Sequence, residues 1–171
     1  MNFIPSPLPP SEIIVAARDA DARVRSAAAY RCTGTNDEVA IAAAIAEAGV
    51  NGKVVLPKGN YTLNDEITLP SDITITGGGT LTQGTPLKNV FVLGAGTNNV
   101  IIDGLIIVAN SGYGFTTSCG IYMGGTAESR ITGITISNCD ISNFAGAGIY
   151  CRGGQNIVIS GNRFHDAASV P

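Results

Sequence analysis

The side chains best able to do chemistry in this sequence fall into two short stretches, Asn138-Cys-Asp140 and then Arg163, His165 and Asp166. A carboxylate, a guanidinium and an imidazole are the materials of acid–base catalysis or of an anion site. His165 is the only histidine and no Gly-x-Ser-x-Gly elbow is present, so a Ser–His–Asp hydrolase lacks its parts. Asp140, Arg163 and His165 are carried as catalytic candidates against a plainer reading, which is favoured: a surface Asp–Arg pair and a solvated histidine. Tyr113, Phe115, Tyr122 and Tyr150 offer flat faces for sugar rings. Of these, Tyr113, Tyr122 and Tyr150, together with Arg152, are the candidates for binding a glycan or a partner, against ordinary ladder packing of the tyrosines under the Ala109–Cys119 insertion, which is favoured. The cysteines Cys32, Cys119, Cys139 and Cys151 show no Cys-x-x-Cys pairing. They are expected to be buried, reduced thiols packing as small hydrophobes. Asp65, Glu66 and Asp72 lack the spacing of a calcium loop and read as turn residues. Neither a metal site nor a cofactor is expected.

What must position these residues is a repeat. Ile73-Thr-Ile-Thr-Gly77, Val100-Ile-Ile-Asp-Gly104, Ile134-Thr-Ile-Ser-Asn138 and Ile157-Val-Ile-Ser-Gly161 are one motif, an alternating β-branched strand closed by Gly or Asn. An apolar residue follows three positions after the last three copies, at Ile107, Ile141 and Phe164. A second motif recurs as Gly120-Ile-Tyr-Met-Gly124 and Gly148-Ile-Tyr-Cys-Arg152. Short strands alternate in and out with period two, and Gly or Asn tolerates the left-handed backbone of a sharp bend. Such a unit buries its apolar face only by stacking on its neighbours, strand parallel to equivalent strand. The reading is an all-β fold, a right-handed single-stranded parallel β-helix. A β-sandwich is the rival, and it would want hairpin turns at closer spacing. In this register Asp140 lies one coil, about 4.8 Å, from Arg163. Tyr122 and Tyr150 occupy equivalent positions and point outward if Ile121 and Ile149 point inward.

Ahead of the coils, residues 1–12 read as an extended Pro-rich arm and residues 13–51 as an N-terminal cap, with coils over 52–171. The cap holds an apolar strand at Ile13–Ala17 and a short helix. Thr35 and Glu38 are spaced as a capping box, Ile41 and Ile45 share a face, and Gly49 ends the helix. The helix should cover the first coil. The segment Ala109–Cys119 reads as an insertion in a loop.

Composition agrees. Hydrophobic residues make up 44%, charged residues 13%, and there are 22 glycines and no Trp. That mixture excludes a disordered chain. A net charge of −3 without any basic run argues against nucleic acid as a partner. No apolar run reaches the roughly 18 residues of a membrane span. The opening residues have neither a basic region nor an apolar core, so no secretory leader is expected. The last residues, Ser169-Val-Pro171, follow a strand directly. The expectation is an open C-terminal end covered by a second copy or another capping partner.

From Tyr30-Arg-Cys-Thr-Gly-Thr35 through Asn36-Asp-Glu and the Ala/Ile helix, then Asn51-Gly-Lys-Val-Val-Leu-Pro-Lys-Gly-Asn-Tyr61 to Leu69-Pro-Ser-Asp-Ile-Thr-Ile-Thr-Gly77, the chain resembles the N-terminal portion of pectate-lyase-superfamily β-helix proteins, phage tailspike and tail proteins among them. That family includes lyases, hydrolases and adhesive spikes acting on acidic or surface polysaccharides. Of the motifs that galacturonan hydrolases of this fold use, only Asn-x-Asp is matched, at Asn138-Cys-Asp140; the Asp pair, Gly-His-Gly and Arg-Ile-Lys are absent. The resemblance thus implies a structural, glycan-facing module of a virion tail or surface protein, placed on a virion or outside the cell and facing cell-surface polysaccharide. The alternative is the N-terminal part of a polysaccharide lyase or glycoside hydrolase whose active site lies on later coils.

Overall fold

The computed structural model describes residues 12–110 and 118–167. Three all-parallel sheets run along the molecule. The longest is seven-stranded: β1 (Glu12–Ala16), β2 (Tyr30–Arg31), β3 (Gly52–Leu56), β6 (Ile73–Gly77), β9 (Val100–Asp103), β12 (Ile131–Ser137) and β15 (Gly154–Ser160), in the spatial order β15-β12-β9-β6-β3-β1-β2. The second stacks β4 (Asn60–Leu63), β7 (Thr80–Gln83), β10 (Ile106–Val108), β13 (Asp140–Ser142) and β16 (Arg163–His165). The third stacks β5 (Ile67–Thr68), β8 (Phe91–Leu93), β11 (Ile121–Gly124) and β14 (Ile149–Arg152). Each turn of the coil visits all three sheets.

The pairing is the register of the repeat. Ile73 sits against Val100, Thr135 against Ile101, and Ile134 against Ile157. Ile107 pairs with Ile141, and Ile141 with Phe164. Alternation then sends one set of side chains into the coil. Val54, Ile75, Ile102 and Ile136 form one fully buried column, and Tyr61, Leu81, Ile107 and Ile141 form another. At about 25 cal/mol per Å² of apolar surface, these columns supply the main drive for folding.

Two columns of left-handed residues bend the chain. At the corner that ends β6, β9, β12 and β15 stand Gly77, Gly104, Asn138 and Gly161, with φ of 139°, 72°, 54° and 66°. At the corner inside or before the strand stand Asn51, Asp72, Asn99, Gly133 and Asn156, with φ between 55° and 68°. Asn and Asp tolerate this conformation because their side chains bond locally. Asn99 donates to the Asp72 carboxylate at 2.8 Å, and Asn138 donates to Asp103 at 2.9 Å. Ser137 also donates to Asp103, at 2.7 Å, and these two donors hold its carboxyl below the usual range, Ser137 first.

The cap is a short helix α1 (Ala22–Ala27) and a longer one, α2 (Asp37–Ala48), which buries Ile41, Ala44, Ile45 and Ala48 over the first coil. Gly49 closes α2 with φ 65°. The capping box does not form. The N-cap is Asn36, itself left-handed and without a side-chain cap bond. Asp37, only 1% exposed, instead accepts from the backbone N–H groups of Thr33, Gly34 and Thr62. Glu38 accepts from Asn64 N–H. Both carboxylates therefore tie the helix to β4 and its turn, which outweighs a local cap.

In the last described coil the inward positions are uncovered. Ile159 is 46% exposed and Phe164 45%, where their counterparts Ile136 and Ile141 are fully buried. No helix among the described residues is long and apolar enough to cross a membrane.

Candidate functional site

The residues singled out by type gather on two different faces. On the second sheet, β13 and β16 pair Asp140 with Arg163 and Ser142 with His165. Arg163 reaches the Asp140 carboxylate at 3.3 Å. His165 was expected to be solvated; instead it is clamped. Its Nε2 lies 2.5 Å from Asp140 Oδ1 and its Nδ1 lies 2.7 Å from Asp166 Oδ2. Carboxylate oxygens on both ring nitrogens favour the imidazolium, so the bonds to Asp166 and then Asp140 raise the pKa of His165 above its ordinary value. With both nitrogens donating, the ring has no lone pair for a general base. The arrangement is a four-membered ionic clasp between the last two described coils. Asn138-Cys-Asp140 does not work as a unit. Asn138 is an exposed corner residue whose side chain bonds Asp103, Cys139 is buried, and Asp140 faces outward on the next strand.

The other face belongs to the third sheet. Ile121 and Met123 are fully buried, which turns Tyr122 outward, and the pairing sets it directly against Tyr150. Their rings stack with centroids 5.3 Å apart and planes 2° from parallel. In register Tyr122 also follows Val92, so its ring lies between neighbours above and below. What the pair offers is therefore its edges and the outer face of Tyr150, rather than two open faces. A Cβ on Gly124 would stand 2.6 Å from Tyr122 Cε1 and 2.8 Å from its hydroxyl. The absent side chain at Gly124 is what lets the ring lie down along its own strand.

Arg152 projects from β14 on the same side as Tyr150, two residues on, and is exposed. It lines an open cleft of about 520 Å³ together with Gly125, Thr126, Glu128, Arg130 and Gly153. Arg130 and Glu128 escaped the reading by type because they sit in the turn between β11 and β12, outside both repeats. Tyr113 and Phe115 lie outside the described residues.

Among the cysteines, Cys32, Cys119 and Cys139 are buried. Burial pushes the Cys32 thiol up to about 12 and raises the other two, which makes them poor nucleophiles. Cys151 departs from expectation and is exposed. It takes the inward position that Met123 fills one coil earlier, but no strand among the described residues stacks on β14. Asp65, Glu66 and Asp72 bond across to the next coil: Asp65 with Lys88, Glu66 with the backbone and side-chain nitrogens of Asn89, and Asp72 with Asn99.

A family model for the right-handed β-helix region matches residues 73–170. No curated protein and no solved structure matches the chain. The model spans more than half of the sequence and covers the stacked coils themselves, and on that match the chain belongs to the right-handed β-helix family.

Proposed function

We propose that this chain is a rigid scaffold of a virion tail or other surface protein whose β11–β14 face meets cell-surface polysaccharide. A β-helix domain fits a structural or polysaccharide-facing module in general. The observation that supports the glycan reading is the outward, stacked Tyr122–Tyr150 pair beside Arg152. Phenol hydroxyls at the edge of a stack bond sugar hydroxyls, and an aromatic face takes the apolar face of a pyranose ring. Screening the 171-residue chain on immobilised bacterial and animal surface glycans is the test. A ligand found there should lose about tenfold or more in affinity on Tyr150→Ala, since one such contact is worth about 1–3 kcal/mol. Binding that is indifferent to both Tyr122→Ala and Tyr150→Ala refutes this face as the site.

A second reading, the N-terminal part of a polysaccharide lyase or glycoside hydrolase, is favoured by the uncovered inward residues Ile159 and Phe164, which present a surface suited to a further coil. Release of unsaturated or reducing ends by a longer form of the protein, but not by these 171 residues, would decide for it.

A further inference from the structure

We infer that Arg130 and Arg152 form an anion-binding subsite at the end of the tyrosine pair, taking a carboxylate, sulfate or phosphate substituent of a sugar chain. The inference deepens the glycan reading above and rests on it for the sugar, though not for the anion. Beyond Lys88 the sequence has few cations: Arg130, Arg152, Arg163 and His165. Arg163 and His165 are both engaged with Asp140 in the clasp. The two guanidiniums that remain have no ion-pair partner among the described residues, and both line the same cleft. Two like charges brought to one concavity repel, and an anion between them relieves that repulsion. Glu128, which also lines the cleft, leaves a net formal charge of about +1 there and provides an acceptor for a neighbouring hydroxyl.

The backbone around the cleft is fixed. Thr126 N–H bonds Ser129 O and Ser129 N–H bonds Thr126 Oγ1, each at 2.9 Å, so the turn carrying Glu128 and leading to Arg130 is closed on itself. Gly125 N–H reaches Arg152 O at 2.8 Å, and Ile131 N–H reaches Gly153 O at 3.1 Å. Each arginine thus stands on or next to a residue bonded across to the other's coil. The floor is bare backbone: a Cβ on Gly125 would lie 2.8 Å from Gly153 O, and one on Gly153 would lie 2.7 Å from Gly125 C. This close approach packs the two coils backbone to backbone beneath the cleft, so the turn of one arginine is held against the strand of the other. A guanidinium fork matches the oxygens of all three anions in the same bidentate way.

The test uses the full chain in EDTA-containing buffer, so that no divalent cation bridges an anion to the protein. Sodium sulfate is titrated while the arginine Nε–Hε resonances are followed by NMR, with the exposed Arg23 as the background site. Arg130 and Arg152 should shift together and half-saturate at a concentration about tenfold below Arg23, the increment of one additional charge-assisted bond. Either Arg130→Gln or Arg152→Gln, with unchanged melting temperature, should return the other arginine to background. Equal response of all three arginines, or independence of the two variants, overturns the subsite. A hexagalacturonate probe, compared as free acid and as full methyl ester, then separates the sources of charge. Preference for the acid that vanishes in Arg152→Gln supports a charged sugar. Sulfate binding at the pair with no response to either hexamer supports the anion subsite and counts against the glycan reading. Equal binding of acid and ester, unchanged in both variants, overturns the subsite while leaving a neutral glycan at the tyrosines.

Discussion

Ile136 and Ile159 occupy the same inward column one coil apart, and alanine at each position measures what covers the last described coil. Ile136 is fully buried, whereas Ile159 is 46% exposed. Replacing isoleucine by alanine removes three carbons, about 2.4 kcal/mol of transfer free energy at ~0.8 kcal/mol per buried methylene. In a closed core the residual cavity raises the total to about 2–5 kcal/mol. Ile136→Ala should fall in that range. Ile159 has roughly half its side chain in water and no closed shell to leave empty, so its loss should be about 1 kcal/mol. For a domain of this size 1 kcal/mol moves the melting temperature by about 2–4 °C. The expected drops are therefore about 4–20 °C for Ile136→Ala and about 2–4 °C for Ile159→Ala. The assay is thermal denaturation at low micromolar protein, with sedimentation velocity run on the same samples. An Ile159→Ala loss as large as that of Ile136→Ala, in a chain that sediments as a monomer, refutes the reasoning from exposure. The same large loss confined to concentrations where the chain self-associates would locate the cover in a second copy.

Two further outcomes follow from the clasp and the corners. The pKa of His165 is raised in the folded state, so its contribution is fully present below the unfolded value near 6.5 and disappears as pH rises through the folded one. The melting-temperature difference between the wild type and His165→Gln should therefore be widest at about pH 5–6 and close toward about pH 9, and a difference that widens with pH contradicts the clasp. Gly104 has φ 72° and no room for a Cβ, which would sit 2.8 Å from Gly77 O, so Gly104→Ala should cost about 1–3 kcal/mol. Gly94→Ala, where a Cβ would meet nothing within 4 Å, is the control and should change the melting temperature by less than about 2 °C. Equal effects at the two glycines would discredit the corner argument.

The register was legible because a β-branched strand closed by Gly or Asn marks both the inward column and the bend that follows it. Reading Ile73, Val100, Ile134 and Ile157 as equivalent placed Asp140 beside Arg163, and the second motif, Gly120–Gly124 against Gly148–Arg152, placed Tyr122 beside Tyr150. The other corner was not legible in the same way. Its residues, Asn51, Asp72, Asn99, Gly133 and Asn156, share a backbone conformation but not a residue type, and the strand that follows each dominates the pattern. The capping box failed for a different reason. Thr35 and Glu38 satisfy the local rule, but the nearest donors to satisfy were those of Thr33, Gly34, Thr62 and Asn64, and these belong to tertiary structure. The contacts of His165 were hidden on the same grounds, since only the strand pairing brings Asp140, one coil away, to a histidine that Asp166 neighbours in sequence.

The glycan-facing candidates are legible only where they break the repeat. Along the outer column of the third sheet the residues run Thr68, Val92, Tyr122, Tyr150, each one coil on from the last. Any β-former satisfies that position, as Thr68 and Val92 show, so two consecutive tyrosines are not a requirement of the coil. The neighbouring position changes in the same place, from Gly124, which makes room for the Tyr122 ring, to Arg152, which extends from the next coil. The fold constrains inward columns and corners tightly and outward positions hardly at all. Aromatic rings, a glycine that accommodates one of them and an unpaired arginine therefore converge on two adjacent coils without any demand from packing. That convergence, rather than any catalytic constellation, is what the proposal of a glycan-facing surface on β11 and β14, and of charge recognition in the turn beside them, rests on.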